Sequence, residues 1–173
     1  MIVAQTERLL IRWLEPGDAA FVLRLVNEPS WLRYIGDKGV KCIEDAEAYI
    51  RNGPRASCER LGFGLNAVTL ADTGEPIGIC GLIKRDTLPC VDLGFALLPA
   101  FSGQGYAAEA SAAVIGHGRQ VLGFTRVLAI VTHDNQSSHR LLSKLGFERE
   151  GKVRLAPDSD ALDLYASEPE APT

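Results

Sequence analysis

The sequence predicts an α/β (α+β) chain: one mixed, mostly antiparallel sheet of about six to seven strands, flanked by helices. Three observations lead there. Two apolar runs, 63–70 and 77–83, are joined by Asp72-Thr-Gly74, which reads as a hairpin turn. The run from Val91 to Leu98 alternates and extends that antiparallel set. Segments with apolar residues three and four apart are interleaved with these strands, at 19–27, 43–51, 107–121 and 136–145.

In chain order, Glu7 to Leu14 puts Leu9, Ile11 and Trp13 on one face and Arg8 and Arg12 on the other, the pattern of a half-buried strand. Pro16-Gly-Asp18 offers a turn and an N-cap for a helix from Ala19 to Asn27, which Pro29 ends. Ser30 to Lys41 is loop or short helix. Its Trp31, Leu32, Tyr34 and Ile35 either plug the core edge or form a substrate wall. Ile43 to Arg51 is helical, with Glu44, Asp45 and Glu47 near its start, where acids suit the helix dipole. On the strand from Val91 to Leu98, Val91, Leu93, Phe95 and Leu97 share one face. Asp92, Gly94, Ala96 and Leu98 share the other, which is either solvent-facing or an open slot headed by a carboxylate.

The helix after residue 107 carries Gly116 and Gly118, which cost roughly 1 kcal/mol each against alanine and would permit close packing on the sheet. His117 reads as a satisfied core histidine. Arg126 to Val131 lacks alternation and reads as a central strand. Asn135 stands where a helix cap belongs, and Gly146 closes the helix 136–145. On that helix Ser138 shares a face with Leu141, Leu142 and Leu145, so its hydroxyl is either bonded back to the helix or aimed at a ligand. Runs 148–155 and 161–167 complete the sheet.

The stretch Phe101-Ser-Gly-Gln-Gly-Tyr-Ala-Ala-Glu-Ala110 organises the rest. Two glycines between a strand and a helix allow a sharp turn and a close approach, and the first helical turn has free N–H groups and a dipole that favours negative charge. Together these make an anion cradle, most often for phosphate. The spacing is neither the dinucleotide fingerprint nor a P-loop.

At 173 residues, with 46% apolar and 23% charged residues, a single domain over 1–173 with a sizeable core is expected. The net charge of −4 and the lack of a basic block argue against a general nucleic-acid surface, so phosphate binding must be local. Cys42, Cys58, Cys80 and Cys90 show no C-x-x-C spacing and read as reduced thiols of a cytoplasmic protein. No apolar run approaches the ~20 residues of a membrane span, and the first residues lack signal-peptide features. Residues 168–173 read as a flexible tail.

The segments Thr6-Glu-Arg-Leu-Leu-Ile-Arg12, Asp92-Leu-Gly-Phe95, Ser102-Gly-Gln-Gly-Tyr-Ala-Ala-Glu-Ala110, Asn135-Gln-Ser-Ser138 and Lys144-Leu-Gly-Phe147 resemble the GNAT N-acetyltransferases, and within these the RimJ/RimL type, which acetylates α-amino groups of ribosomal proteins. The likeness runs from about residue 6 to 167. It implies an acetyltransferase domain over 7–167 with two splayed central parallel strands, and acetyl-coenzyme A as the anion's owner. The main chain of Gly103, Gln104, Gly105, Tyr106 and Ala107 would hold the pyrophosphate. Ser102 departs from the arginine, glutamine or large side chain usual at the start of that motif. The main chain of Leu97 and Leu98 would pair with the pantetheine arm, and Asn135 would sit near it.

The resemblance also implies direct acyl transfer to an amine. Asp92 stands where many relatives carry a basic glutamate. The tyrosine acid of many relatives is replaced by Leu142, while Ser138 matches a serine found in RimL-like members. Glu109 is a rival carboxylate, read here as capping the helix or matching its dipole. The acceptor would be gripped by residues 28–60 and 152–165, where Trp31, Arg33, Tyr34 and Arg154 name no particular amine. A protein N-terminus, a small amine such as an amino acid, polyamine or antibiotic, and a non-catalytic acyl-CoA sensor remain the three readings. No metal, nucleic acid or membrane partner is expected, and the chain is either a monomer or a homodimer paired through a sheet edge.

Overall fold

A computed structural model describes residues 1–169; residues 170–173 of the expected tail lie outside the described residues. Eight strands form one sheet: β1 (Ile2–Gln5), β2 (Leu9–Trp13), β3 (Leu65–Leu70), β4 (Pro76–Ile83), β5 (Asp92–Leu97), β6 (Val127–Val131), β7 (Glu148–Val153) and β8 (Leu162–Ser167), in the order β1-β2-β3-β4-β5-β6-β8-β7. Every neighbouring pair is antiparallel except β5 with β6. The helices are α1 (Ala19–Val26), α2 (Pro29–Tyr34), α3 (Ile43–Ile50), α4 (Ala56–Leu61), α5 (Tyr106–Gln120) and α6 (Gln136–Lys144).

The alternation of the strands divides the core. Leu9, Ile11, Val68, Leu93 and Val127 pack with Val114 of α5 and Leu142 of α6 on one face. Ala67 and Ile79 pack with Val22 and Leu25 of α1, Trp31 of α2 and Ile50 of α3 on the other. Large apolar side chains buried this fully contribute about 1.5–3 kcal/mol each, and the two layers fix the strand registers, because a one-residue slip would exchange the faces.

The main differences from expectation lie where the local signal is short. β1 pairs with β2 although Met1 to Gln5 carries almost no pattern. α3 runs through a π-helical turn at 51–55 into α4, a segment without clear helical spacing. Pro29 does end α1, but it also opens α2, using the first-turn position where its missing N–H is harmless. Asp18 precedes α1 but does not cap it. Its carboxylate is held by Arg12 in a two-point pair at 2.8 and 2.9 Å and accepts from the Glu15 N–H at 2.8 Å. Burial opposes the charge on Asp18, yet those bonds hold its pKa below the ordinary value. Trp31 fills the core edge, while Leu32 and Ile35 of the same segment are exposed.

The two glycines of α5 differ in role. A Cβ at Gly118 would come within 2.7 Å of Leu82 Cδ1, so helix and sheet touch there, whereas a Cβ at Gly116 would meet nothing within 4 Å. Gly116→Ala should therefore raise stability by about 0.5–1 kcal/mol, read as a higher midpoint in thermal denaturation, and Gly118→Ala should lower it. His117 between them is half-buried and has no hydrogen-bond partner among the described residues, so it is not the satisfied core histidine expected.

Candidate functional site

The main chain leaves β5 at Leu97, makes a tight turn at Pro99–Phe101 and enters α5 through Gly103 and Gly105, with φ of +74° and +84°. Such values suit glycine, and the second glycine is itself the residue that opens the helix. No side chain caps α5. Its first internal bond is Glu109 N–H to Gly105 O at 3.1 Å, which leaves the amides of Tyr106, Ala107 and Ala108 without a helical acceptor. Gln104 folds back, its Nε2 donating to Ala100 O at 3.0 Å. The result is a concave row of N–H groups at the positive end of a 15-residue helix, a geometry that fits a phosphate or diphosphate.

Beside this loop the sheet comes apart. β5 and β6 share a single rung, Asp92 with Leu128, secured by Leu128 N–H to Val91 O at 2.9 Å. Beyond it the two strands diverge. Leu98 N–H donates to Ile77 O at 2.8 Å, so along β5 the even-numbered main-chain groups face β4 and the odd-numbered ones face the gap. The expectation for Leu98 is thereby corrected: its amide belongs to the β4 ladder, and it is Phe95 and Leu97 that turn N–H and C=O toward the opening. The slot foreseen beside Gly94 is closed, because Ile83 Cδ1 and Leu65 Cδ2 occupy the space a Cβ there would need, at 2.9 and 3.3 Å.

Asp92 sits at the apex of the divergence and is 1% exposed. Burial raises its pKa, while an ion pair with Arg85 (Nε to Oδ1, 3.0 Å) pulls the other way and only partly offsets that rise. Asn135 opens α6 from the end of β6 and caps it, Oδ1 accepting from Ser138 N–H at 3.3 Å. Ser138 is half-buried, and its hydroxyl has no hydrogen-bond partner among the described residues; the back-bonded alternative is not seen.

Three sets of contacts at the site are not foreseen from the sequence. Arg8, read from the alternation as a solvent-face residue, reaches the cradle: Nε pairs with Glu109 Oε1 at 3.0 Å, Nη1 donates to Gln104 O at 3.0 Å, and the guanidinium lies over the Tyr106 ring at 4.3 Å. Thr6 donates to the other Glu109 oxygen at 2.7 Å. Glu109 is thus a counter-ion rather than a cap, and its pKa is held low by Thr6 and Arg8 against the effect of desolvation.

Asp163, buried on β8, accepts from Arg149 Nη2 and lies 2.9 Å from His133 Nδ1, and these bonds outweigh burial and keep its pKa low. Next to it His139 Nε2 faces Thr132 O and His133 O at 3.2 and 3.1 Å, so that nitrogen carries the proton and Nδ1 accepts from Tyr165 Oη at 2.7 Å. This network braces the loop that carries Asn135. Finally, Arg33 of α2 pairs with Asp134 of the same loop at 3.0 Å, tying α2 to the loop beside Asn135.

The remaining ionisable candidates are muted. All four cysteines are free, and burial pushes the Cys80 thiol up to about 12. Among the described residues, no group of His, Cys, Asp and Glu could hold a metal ion, and no helix is long and apolar enough to cross a membrane.

Comparison with known proteins identifies the family and the fold. The family profile described as an acetyltransferase (GNAT) domain matches residues 8–148. A Bacillus subtilis protein described as the uncharacterized N-acetyltransferase YoaA is 30% identical over 155 residues, covering 88% of this chain and 86% of that one. Among solved structures, an acetyltransferase from Agrobacterium tumefaciens superposes with a TM-score of 0.80 at 26% identity, over 96% of this chain and 94% of that one. RimL, an α-N-acetyltransferase of ribosomal L7/L12 solved with coenzyme A, shares the fold with a TM-score of 0.81 at 19% identity, over 97% and 98% of the two chains.

Proposed function

Since this chain belongs to the GNAT acetyltransferase family, we propose that it moves an acetyl group from acetyl-coenzyme A directly to a primary amine, and that the acceptor class is a protein N-terminal amine. The observation that carries the cofactor reading is the uncapped start of α5 lying against the gap between β5 and β6, and what supports the acceptor class is the fold shared with RimL, an α-N-acetyltransferase of a ribosomal protein. An anion site and the divergence of the two strands adjoin each other.

When bound, acetyl-coenzyme A supplies an activated thioester. The chain's own residues do the rest. The amides of Gly103, Gln104, Gly105, Tyr106 and Ala107 hold the diphosphate. The main chain of Phe95 and Leu97 acts as a strand edge for the arm, and the Leu97 N–H is the donor available to polarise a carbonyl. Asn135, whose amide nitrogen is not engaged in capping, orients the arm from the β6 side. Asp92 takes the proton from the ammonium through a water, because an aspartate at the apex is one methylene short of direct reach. Ser138 Oγ would donate a hydrogen bond to the leaving sulfur and relay to it the second proton that the attacking nitrogen sheds, so the serine ends as it began. The exposed Leu32 and Ile35, with the Arg33–Asp134 pair, form the wall on which the acceptor rests.

Release of free thiol from acetyl-coenzyme A, followed with a panel of N-terminal peptides and small amines, tests the proposal. Turnover with peptides supports it; turnover with small amines alone moves the acceptor class, and cofactor binding without turnover to any amine replaces catalysis with sensing. Ser138→Ala should lower kcat about tenfold or more with acetyl-coenzyme A affinity unchanged by calorimetry, and an unchanged kcat removes Ser138 from the chemistry.

A further inference from the structure

The residue whose position is least explained by folding alone is Arg8. It leaves the turn between β1 and β2, is 41% exposed, and yet is held at three points by the anion loop. Surface arginines are seldom ordered this way for stability, since exposed ion pairs contribute little. Its third nitrogen is the informative one. Nε faces Glu109 and Nη1 faces Gln104 O, whereas Nη2 has no protein partner among the described residues and lies 3.2 Å from where a Cβ of Gly105 would stand. A side chain at position 105 would therefore crowd the guanidinium as well as strain the backbone. Glu109 and Thr6 hold the group in place from one side, and the unpartnered Nη2 is left beside Gly105, where the row of open amides begins.

We propose that Arg8 is a cofactor-binding residue whose free Nη2 donates to a phosphate oxygen of the anion that the loop 103–107 holds. The inference rests on the acetyl-coenzyme A reading above. It corrects the view that the cradle relies on main-chain amides alone: the chain places one fixed positive charge there, and the planar fork of arginine suits it because one edge can bind Glu109 while another faces the ligand. Lysine carries its three donors on one nitrogen, so it cannot span Glu109 and the ligand with the same planar fork. Coenzyme A carries a diphosphate and a 3′-phosphate, and either supplies the oxygen.

The test is calorimetric titration of the wild type, Arg8→Gln and Arg8→Lys with coenzyme A and with dephospho-coenzyme A at several salt concentrations, beside thermal melts. Expected is a loss of affinity of about tenfold in Arg8→Gln, only partly recovered in Arg8→Lys, with a shallower dependence of affinity on salt in the glutamine variant. An equal loss for both ligands assigns the contact to the diphosphate; a loss confined to coenzyme A assigns it to the 3′-phosphate. If the wild type binds and the glutamine variant binds within about twofold of it, the inference is overturned. If affinity and melting midpoint both fall while the salt dependence is unchanged, Arg8 merely braces the loop and the contact is again refuted. A wild type that binds neither ligand overturns the cofactor reading itself, a different result from either of these.

Discussion

Asp92→Asn is expected to lower kcat about 100-fold and to remove the acidic limb from the pH profile of kcat. The exchange keeps the shape of the side chain but removes its capacity to take up a proton, and with its charge the ion pair to Arg85. Burial raises the pKa of Asp92 above the ordinary aspartate range, Arg85 notwithstanding, so the wild-type rate should climb with pH through that raised value. The sign for folding is the reverse. A carboxyl group whose folded pKa lies above its unfolded one favours the fold when protonated, and that contribution is lost as pH rises through the folded value. At neutral pH the asparagine variant should thus be no less stable than the wild type, with Arg85, 33% exposed, free to turn to solvent. Steady-state kinetics against pH with one acceptor decides the matter. A variant that keeps both limb and rate would assign the base to water or another group.

The largest effect on folding should come from Gly81→Ala. On β4, Gly81 lies between Leu65 of β3 and Gly94 of β5. A Cβ there would stand 2.0 Å from Gly64 O and 2.7 Å from Leu65 Cα, both main-chain atoms where the chain enters β3, which cannot swing aside. Overpacking in a core costs about 1–3 kcal/mol when side chains can shift, and here only the backbone can, so a loss at or above the upper end is expected. Against a total stability of about 5–15 kcal/mol, this should appear as a sharply lower urea midpoint or as insoluble expression. An alanine variant that melts with the wild type would mean that β3 and β4 approach less closely than described.

Much of this architecture was written locally. The faces of β5 follow from alternation, the glycine turn from Gly103 and Gly105, and the start of α6 from Asn135, because each is decided by residues a few positions apart. Among the expectations that needed correcting, the Leu98 amide depends on which strand lies on which side, as does the choice at Gly94 between an open slot and a covered face, and alternation says nothing of that. The residues that were missed are bound to distant segments. Arg8 meets Glu109 across 101 positions, and Asp163 meets His133 across 30. A lone arginine on an alternating strand looks solvated until the turn brings it over α5. β1 escaped notice for another reason: its main-chain bonds to β2 need no particular side chains.

The lone rung at Asp92 and Leu128 has a mechanical consequence. Strands β1 to β5 and strands β6 to β8 are two plates sharing one axle, and no ladder resists their rocking beyond it. An extended molecule bonded to both edges would serve as the missing slat and stiffen the whole sheet, so occupancy and rigidity rise together. The seam that folding leaves open is then the one that a bound ligand would close.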